Sequence, residues 1–273
     1  MPETIPRASA PAALLDRWPA QAGPLIATRP RPDDFSSRIG VDVAGGFYPA
    51  PHRYQVFLSR GCPRSLRVSL TLDLLRLGDS VTTVFLPSPA ATGSLRGAYE
   101  ATRHRYDGPL TVPALCDRWS GRVVSNHTPD ILRDLADHLG DQGGAGLPRL
   151  RPRALAADID ALGELIDTRI VQAARRAATD RAPQGRAEAL ETLLGALDQL
   201  DGRLAGGPYA LGDELTAADV DLWVALVHLD AVDRPRLTAD AARLVSRHDR
   251  LRSYVRRLGD HPAFRGHHAP AAR

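Results

Sequence analysis

The chain contains no lysine; all 35 of its basic residues are arginine. A Schiff base on lysine and a phosphate loop built around lysine are therefore excluded. Charge of one sign is scarce as well, since 35 basic residues face 32 acidic ones for a formal +3, too small a bias to attract nucleic acid. There are only two cysteines, Cys62 and Cys116. That number does not make a disulfide scaffold, and no Cys/His pair has zinc spacing, so a reducing, cytoplasmic setting without a metal is expected. Long apolar runs are missing too. Met1 to Pro30 mixes Pro, Arg and Asp with isolated apolar residues, so neither a secretory leader nor a membrane span is expected.

What is present divides into unlike parts, and 273 residues is long for one domain. Residues 1–52 are rich in Pro, Ala and Arg without sustained periodicity, and read as an N-terminal arm with a short helix around Ala12 to Trp18. From Arg53 the pattern changes. Tyr54 to Ser59, "YQVFLS", is strand-like, and Pro63 suits a first helical turn. Leu66, Leu70, Leu74 and Leu77 recur at helical spacing up to Gly78, and Val81 to Pro87, "VTTVFLP", is a second strand. A strand, helix, strand unit favours a parallel pair.

A helix around Leu95 to Arg105 leads into two strand-like runs, Pro113 to Arg118 and Arg122 to Ser125, joined by a Ser120-Gly121 turn. Thr128-Pro129-Asp130 then supplies a cap, a first-turn proline and a first-turn acid for a further helix. The order β-α-β-α-β-β-α over residues 53–140 matches a thioredoxin-like domain, in which Pro113 would be a cis proline. Residues 141–153 read as a linker. Beyond them, 154–265 show only helical patterns, within Ala154 to Thr179, Arg186 to Leu204, Ala217 to Val232 and Ala239 to Gly259, and 266–273 read as a tail. Thr216 and Asp219 form a capping box ahead of an apolar run. The expected fold class is thus an α/β thioredoxin-like N-terminal domain plus an all-α C-terminal domain.

That arrangement resembles the glutathione transferases, and local motifs carry the resemblance. "ALDQLDGRLAGGPYALGDELTAADVDLW" is similar to the C-terminal signature of that superfamily, and "RHDRLRSYVRRLGDHPAF" to its final helix. "RYQVFLSRGCPRSLR" and "YDGPLTVPALCDRWSGRVVSN" resemble the xi class, the glutathionyl-hydroquinone reductases. The resemblance implies a thiol-dependent S-transferase or reductase acting on a small aromatic or quinone-like electrophile, with a homodimer by family analogy. It puts Cys62 on the catalytic cysteine, which is left as a mixed disulfide. Ser65 falls on the second cysteine of C-x-x-C, so the motif is monothiol and a soluble thiol must release the product. Val112 and Pro113 match the pair that binds the cysteinyl backbone of the thiol, and Ser125, Asn126, His127 and Thr128 lie where the class has Ser-Asn-Glu-Ser.

Three departures matter. His127 replaces the acid that pairs with the γ-glutamyl ammonium, Arg64 replaces a tryptophan, and the segment between the second strand and the Val-Pro element is shortened. A low-molecular-weight thiol without that ammonium, mycothiol or ergothioneine, fits these departures better than glutathione. Physical chemistry agrees on Cys62, because a cysteine just before a helix faces unpaired N–H groups, and Arg60, Arg64 and Arg67 lie close in sequence. Those arginines read equally as an acceptor for an acidic substrate or as a solvated face. Cys116, inside a strand run, reads as core packing, and His127 as a solvent-facing loop residue with a lesser reading as a thiol contact. The rival from another class is a non-catalytic transferase-fold module that binds a ligand or a partner protein.

Overall fold

The computed structural model describes residues 34–40, 46–88, 91–140 and 146–267. The helix expected around Ala12 to Trp18 lies outside the described residues. Strand β1 (Tyr54–Ser59) runs parallel to β2 (Val81–Leu86), joined through helix α1 (Pro63–Leu74). Proline at the start of α1 costs nothing, since its missing N–H would have had no helical partner there. The helix stops short of Gly78 because Arg76 takes a positive φ of 49°. Helix α2 (Arg96–Thr102) leads to the antiparallel hairpin β3 (Ala114–Asp117) and β4 (Arg122–Ser125), turned at Gly121 with φ 69°. Helix α3 (Thr128–Asp134) follows, and the sheet order is β2-β1-β3-β4.

β1 is buried on both faces, as a central strand must be. Tyr54, Val56 and Leu58 enter one apolar cluster with α1 and α3, while Phe57 enters a second with Leu95, Tyr99, Val112, Ala114, Cys116 and Val123. The alternation puts Cys116 under α2, in the second cluster. Cys62 is in neither.

The helical part comprises α4 (Ala156–Leu165), α5 (Ala173–Thr179), α6 (Pro183–Arg203), α7 (Ala217–His228), α8 (Ala239–Val245), α9 (Asp249–Asp260) and α10 (Pro262–Arg265). A wider π-helical turn, Ile166–Gln172, links α4 to α5, and another, Leu229–Asp233, extends α7. Helix α7 is buried along its whole length. The Thr216/Asp219 capping box starts it, and the Asp219 carboxylate also accepts from the Ala210 N–H and the Tyr254 hydroxyl, each at 2.8 Å.

Three stretches read as loose from sequence are anchored where they are described. In the N-terminal arm the Phe35 and Ile39 amides donate to Asn126 Oδ1 and Asp134 Oδ2, and Arg38 pairs with Asp134 at 2.6 Å. Arg53 stacks between Tyr48 and Trp119 and pairs with Asp117 at 2.8 Å. Within the linker, Leu150 is buried and its carbonyl accepts from the Ala217 N–H at 2.7 Å, while Arg151 pairs with Asp160 at 2.8 Å. His267, read as tail, lies 2.7 Å from Asp73 of α1; His268 lies outside the described residues. For Phe35, Ile39, Leu150 and His267 the partner lies more than 60 positions away in sequence, so local composition could not reveal it.

Candidate thiol site

β1, β3 and β4 bring three chain segments to one end of the sheet. β1 pairs antiparallel to β3 with Phe57 opposite Ala114, so the residues just after β1 and those just before β3 share that end. Cys62 follows β1 there, and the Val112–Pro113 bond, which is cis, precedes β3. Ser125, opposite Leu115, closes β4 at the same end and hands the chain to α3.

Cys62 is the N-cap of α1, in an extended conformation, and its side chain makes no capping bond. Its carbonyl accepts from the Leu66 N–H at 2.9 Å, so the helix starts on its backbone while the sulfur stays uncommitted. Free first-turn donors and the helix dipole favour an anion at such a position. Ser65 is committed instead, its hydroxyl accepting from the Ser59 N–H at 3.1 Å.

The arginine cluster expected beside Cys62 does not exist as one surface. Arg60 stacks on the exposed ring of Phe85, 4.9 Å from its centroid, and Arg64 is half-buried. Arg67 is buried and pairs with Asp221 of α7 at 2.5 Å, tying α1 to the helical part. Burial pushes the Asp221 carboxyl up, and Arg67 opposes that rise. Both acceptance of an acidic substrate and a solvated face are therefore corrected for Arg67, which faces inward from a buried helix flank.

At the start of α3 the structure again differs from the expected cap. His127, not Thr128, occupies the N-cap position, and Thr128 is already the first helical residue. The His127 ring is buried rather than solvent-facing, with Nδ1 2.8 Å from the Asp130 carboxylate. Arg38 and Arg133 also approach Asp130, at 3.9 and 3.6 Å. Sequence reading named Asp130 only as a first-turn acid and did not pair it with His127, although a His and an Asp three apart on a helix start are natural neighbours. Thr128 is 3% exposed and its hydroxyl has no hydrogen-bond partner among the described residues. A buried polar group without a partner is costly, and a ligand atom is one way to supply it.

Ser125 and Asn126 serve the scaffold. The Ser125 hydroxyl accepts from the His127 N–H at 3.0 Å, which bends the chain into α3. Asn126 spends its whole amide internally, accepting from the Phe35 N–H and donating to the Tyr99 hydroxyl and Thr111 Oγ1. Cys116 contrasts with Cys62: burial in the second cluster pushes its thiol up to about 12. A cleft of about 240 Å³ lies between α3 and the helical part, lined by Arg67, Pro129, Leu132, Arg133, Ile159 and Asp160 among others. No cluster of three potential metal ligands occurs among the described residues, and no helix there is long and apolar enough to cross a membrane.

Residues 183–257 match the glutathione S-transferase C-terminal domain family. Glutathionyl-hydroquinone reductase PcpF of Sphingobium chlorophenolicum is 27% identical over 82% of this chain and 72% of its own length. Glutathionyl-hydroquinone reductase YqjG of Escherichia coli is 28% identical over 75% of this chain and 68% of its own. The glutathione-bound structure of YqjG shares the fold, with a TM-score of 0.73 over 90% of this chain and 87% of that one at 24% identity. A glutathione transferase from Gordonia bronchialis superposes with a TM-score of 0.74 over 85% of this chain and 77% of that one, at 28% identity. Residues 183–257 thus carry a glutathione S-transferase C-terminal domain, and the chain as a whole is similar to the glutathionyl-hydroquinone reductases, the xi class of the transferases.

Proposed function

We propose that the chain is a thiol-dependent reductase of adducts between a low-molecular-weight thiol and a quinol-like ring, with Cys62 as nucleophile. The observation that carries this reading is the Cys62 side chain, which stands at the N-cap of α1 without a capping bond, at the sheet end that also holds the cis Val112–Pro113 bond. The names of the curated relatives support the same chemistry. The Cys62 thiolate attacks the sulfur of the adduct, the ring–sulfur bond breaks, and its electron pair goes to the ring carbon, which takes a proton. Cys62 is then disulfide-bonded to the thiol. A second thiolate attacks that disulfide, releasing the free enzyme and the oxidised dimer of the thiol. Low-molecular-weight thiols stay reduced in the cytoplasm, where this cycle would run.

The thiol enters along Val112 and Pro113, and Thr128 with the first N–H groups of α3 donates to an acceptor oxygen at its far end, a carboxylate in glutathione or ergothioneine and an uncharged carbonyl or hydroxyl in mycothiol. In this reading Ser125 and Asn126 are positioning residues, and Arg64, the second residue of α1, flanks the thiol. The co-substrate we favour brings no cation to that place, as mycothiol with its acetylated cysteine nitrogen does not, because the one acid at the α3 start, Asp130, already faces His127, Arg38 and Arg133. A cation brought there by glutathione would have to displace one of them.

Turnover of hydroquinone adducts of glutathione and of mycothiol, read by the released quinol, tests both parts. Cys62→Ser should lose reductive cleavage by at least about a thousandfold, roughly 4 kcal/mol of transition-state stabilisation. Should Cys62→Ser keep cleavage, or should the parent turn over only a direct conjugation that survives in Cys62→Ser, the nucleophile role is wrong and Cys62 acts as a hydrogen-bond donor to the bound thiol. Failure of glutathione, mycothiol and ergothioneine alike to bind in calorimetry would leave the non-catalytic module. Glutathione turning over faster than mycothiol would overturn the co-substrate assignment alone.

A further inference from the structure

Three arginines flank Cys62 in sequence, and the fold answers two of them. The Arg60 guanidinium stacks on the Phe85 ring, 4.9 Å from its centroid, and Arg67 is buried against Asp221 at 2.5 Å. Arg64 is left over. It is half-buried, yet it makes no hydrogen bond, ion pair or ring contact among the described residues.

Its position makes that isolation costly. Arg64 is the second residue of α1, where the helix dipole is positive and disfavours a cation, and the first turn of α1 holds no acid to offset it. Half-burial also strips part of its water, which a charge tolerates poorly without a counter-ion. For the fold alone, an uncharged helix former at this place would cost less. The Cα–Cβ bonds of a helix tilt toward its N-terminus, so a long side chain at the second position is directed toward the end of α1 that carries Cys62. With the far end of the thiol held at the start of α3, the ring bonded to the same sulfur is left to the groups around the start of α1.

We propose, with cleavage at Cys62 as the premise, that Arg64 is a specificity-determining residue that selects adducts whose quinol ring carries a carboxylate, and that it pairs with this group while Cys62 attacks the sulfur. A guanidinium presents two parallel donors that match both oxygens of a carboxylate. That pair offsets the unfavourable dipole and the lost water of Arg64 at once. A ring without the acid leaves Arg64 as unanswered as in the free chain, and this is what turns the arginine into a selector.

The test uses the full chain and two matched substrates, the adducts of 2,5-dihydroxybenzoate and of its methyl ester, each made with glutathione and with mycothiol. The parent should cleave the acid with a kcat/KM at least tenfold above that of the ester, whichever thiol is attached. Arg64→Gln should lower kcat/KM for the acid at least tenfold more than for the ester. The ratio of the two within one preparation cancels any loss of folding or of Cys62 reactivity, so an arginine serving only the helix would move both alike. An arginine that reads an anion on the thiol would do the same. Equal cleavage of acid and ester by the parent, or an acid preference that survives Arg64→Gln, overturns the proposal. Should neither adduct be cleaved, the reductase reading fails and calorimetric affinities for the same adducts decide about Arg64. Acid bound at least tenfold tighter than ester, with the difference lost in Arg64→Gln, supports the selector; equal affinities, or no binding of either, overturn it.

Discussion

Two helix starts in this molecule are built on opposite principles. At α7, the Asp219 carboxylate accepts from the Thr216 N–H, the Thr216 hydroxyl, the Ala210 N–H and the Tyr254 hydroxyl, all between 2.8 and 3.1 Å. At α1 and α3, Cys62 and His127 take the cap position without a capping bond from the side chain, and Thr128 buries a hydroxyl that has no partner among the described residues. The first arrangement fastens the fold from within. The second leaves donors and one hydroxyl at the sheet end for something that is not part of the chain. Polar satisfaction separates scaffold from site here more sharply than burial does, since all of these residues are buried.

The closed start offers the largest effect. Asp219→Ala removes four accepted bonds at once, leaving two backbone N–H groups without partners and the Tyr254 hydroxyl with only the residue-219 carbonyl, at 3.4 Å. We expect a loss of about 3 to 5 kcal/mol, combining a lost cap with buried unsatisfied donors. Urea unfolding followed by circular dichroism measures it, and a loss below about 1 kcal/mol would mean that α7 is not held from within. The carboxyl of Asp219 is pushed up by burial despite its four donors, so part of what those bonds supply goes to offsetting desolvation.

The far end of α7 extends the comparison to a pair closed by neutrality. His228 and Asp233 are buried 3.8 Å apart; burial pushes the imidazole down to about 4 and the carboxyl up to about 6. Between those values both are uncharged. Asp233, with its folded value raised, contributes stability that is complete below about 4 and lost as pH rises through about 6. For His228, with its folded value lowered, stability is complete above about 6.5 and lost as pH falls toward 4. The two slopes oppose each other from pH 4 to 6. In His228→Asn only the aspartate slope remains, so the variant should lose about 2 to 3 kcal/mol relative to the parent on going from pH 4 to 6. Parallel pH profiles for the two proteins, from urea midpoints at half-unit steps, would show that the pair does not titrate as a neutral couple.

The features that sequence reading could follow are those that depend on neighbours along the chain. The "YQVFLS" strand, Pro63 after Cys62, the Ser120-Gly121 turn and the Thr216/Asp219 box all have their physical cause within a few residues, and the structure contains each of them. What escaped depends on distant partners. Arg67 has the composition of a surface arginine and becomes a buried tie only because Asp221 arrives 154 positions later. His127 reads as a loop residue from its neighbours along the chain but is buried, in a region where the Phe35 to Ile39 segment is fastened to Asn126 and Asp134 from more than 90 positions away. Leu150 and His267 follow the same rule. A cavity of about 400 Å³ in the helical part, lined from α6, α7, α8 and α9 among others, likewise has no sequence signature of its own.

The open start yields the smallest effect on the fold and the most pointed one. Thr128→Val keeps the shape of the side chain and removes only the hydroxyl. Because that hydroxyl has no partner to lose, stability should be unchanged or rise by up to about 1 kcal/mol, as the desolvation cost of an unpaired group disappears. Thiol affinity should fall about tenfold, close to 1.4 kcal/mol, since an acceptor oxygen of the ligand loses a donor that the bare helix start cannot replace. Calorimetric titration of the thiol and urea unfolding of the same preparation give both numbers. Stability lost together with affinity would mean that Thr128 has an internal partner in solution, making the start of α3 as closed as that of α7. Affinity lost alone marks the hydroxyl as a ligand contact, because a group serving only the fold could not produce that split.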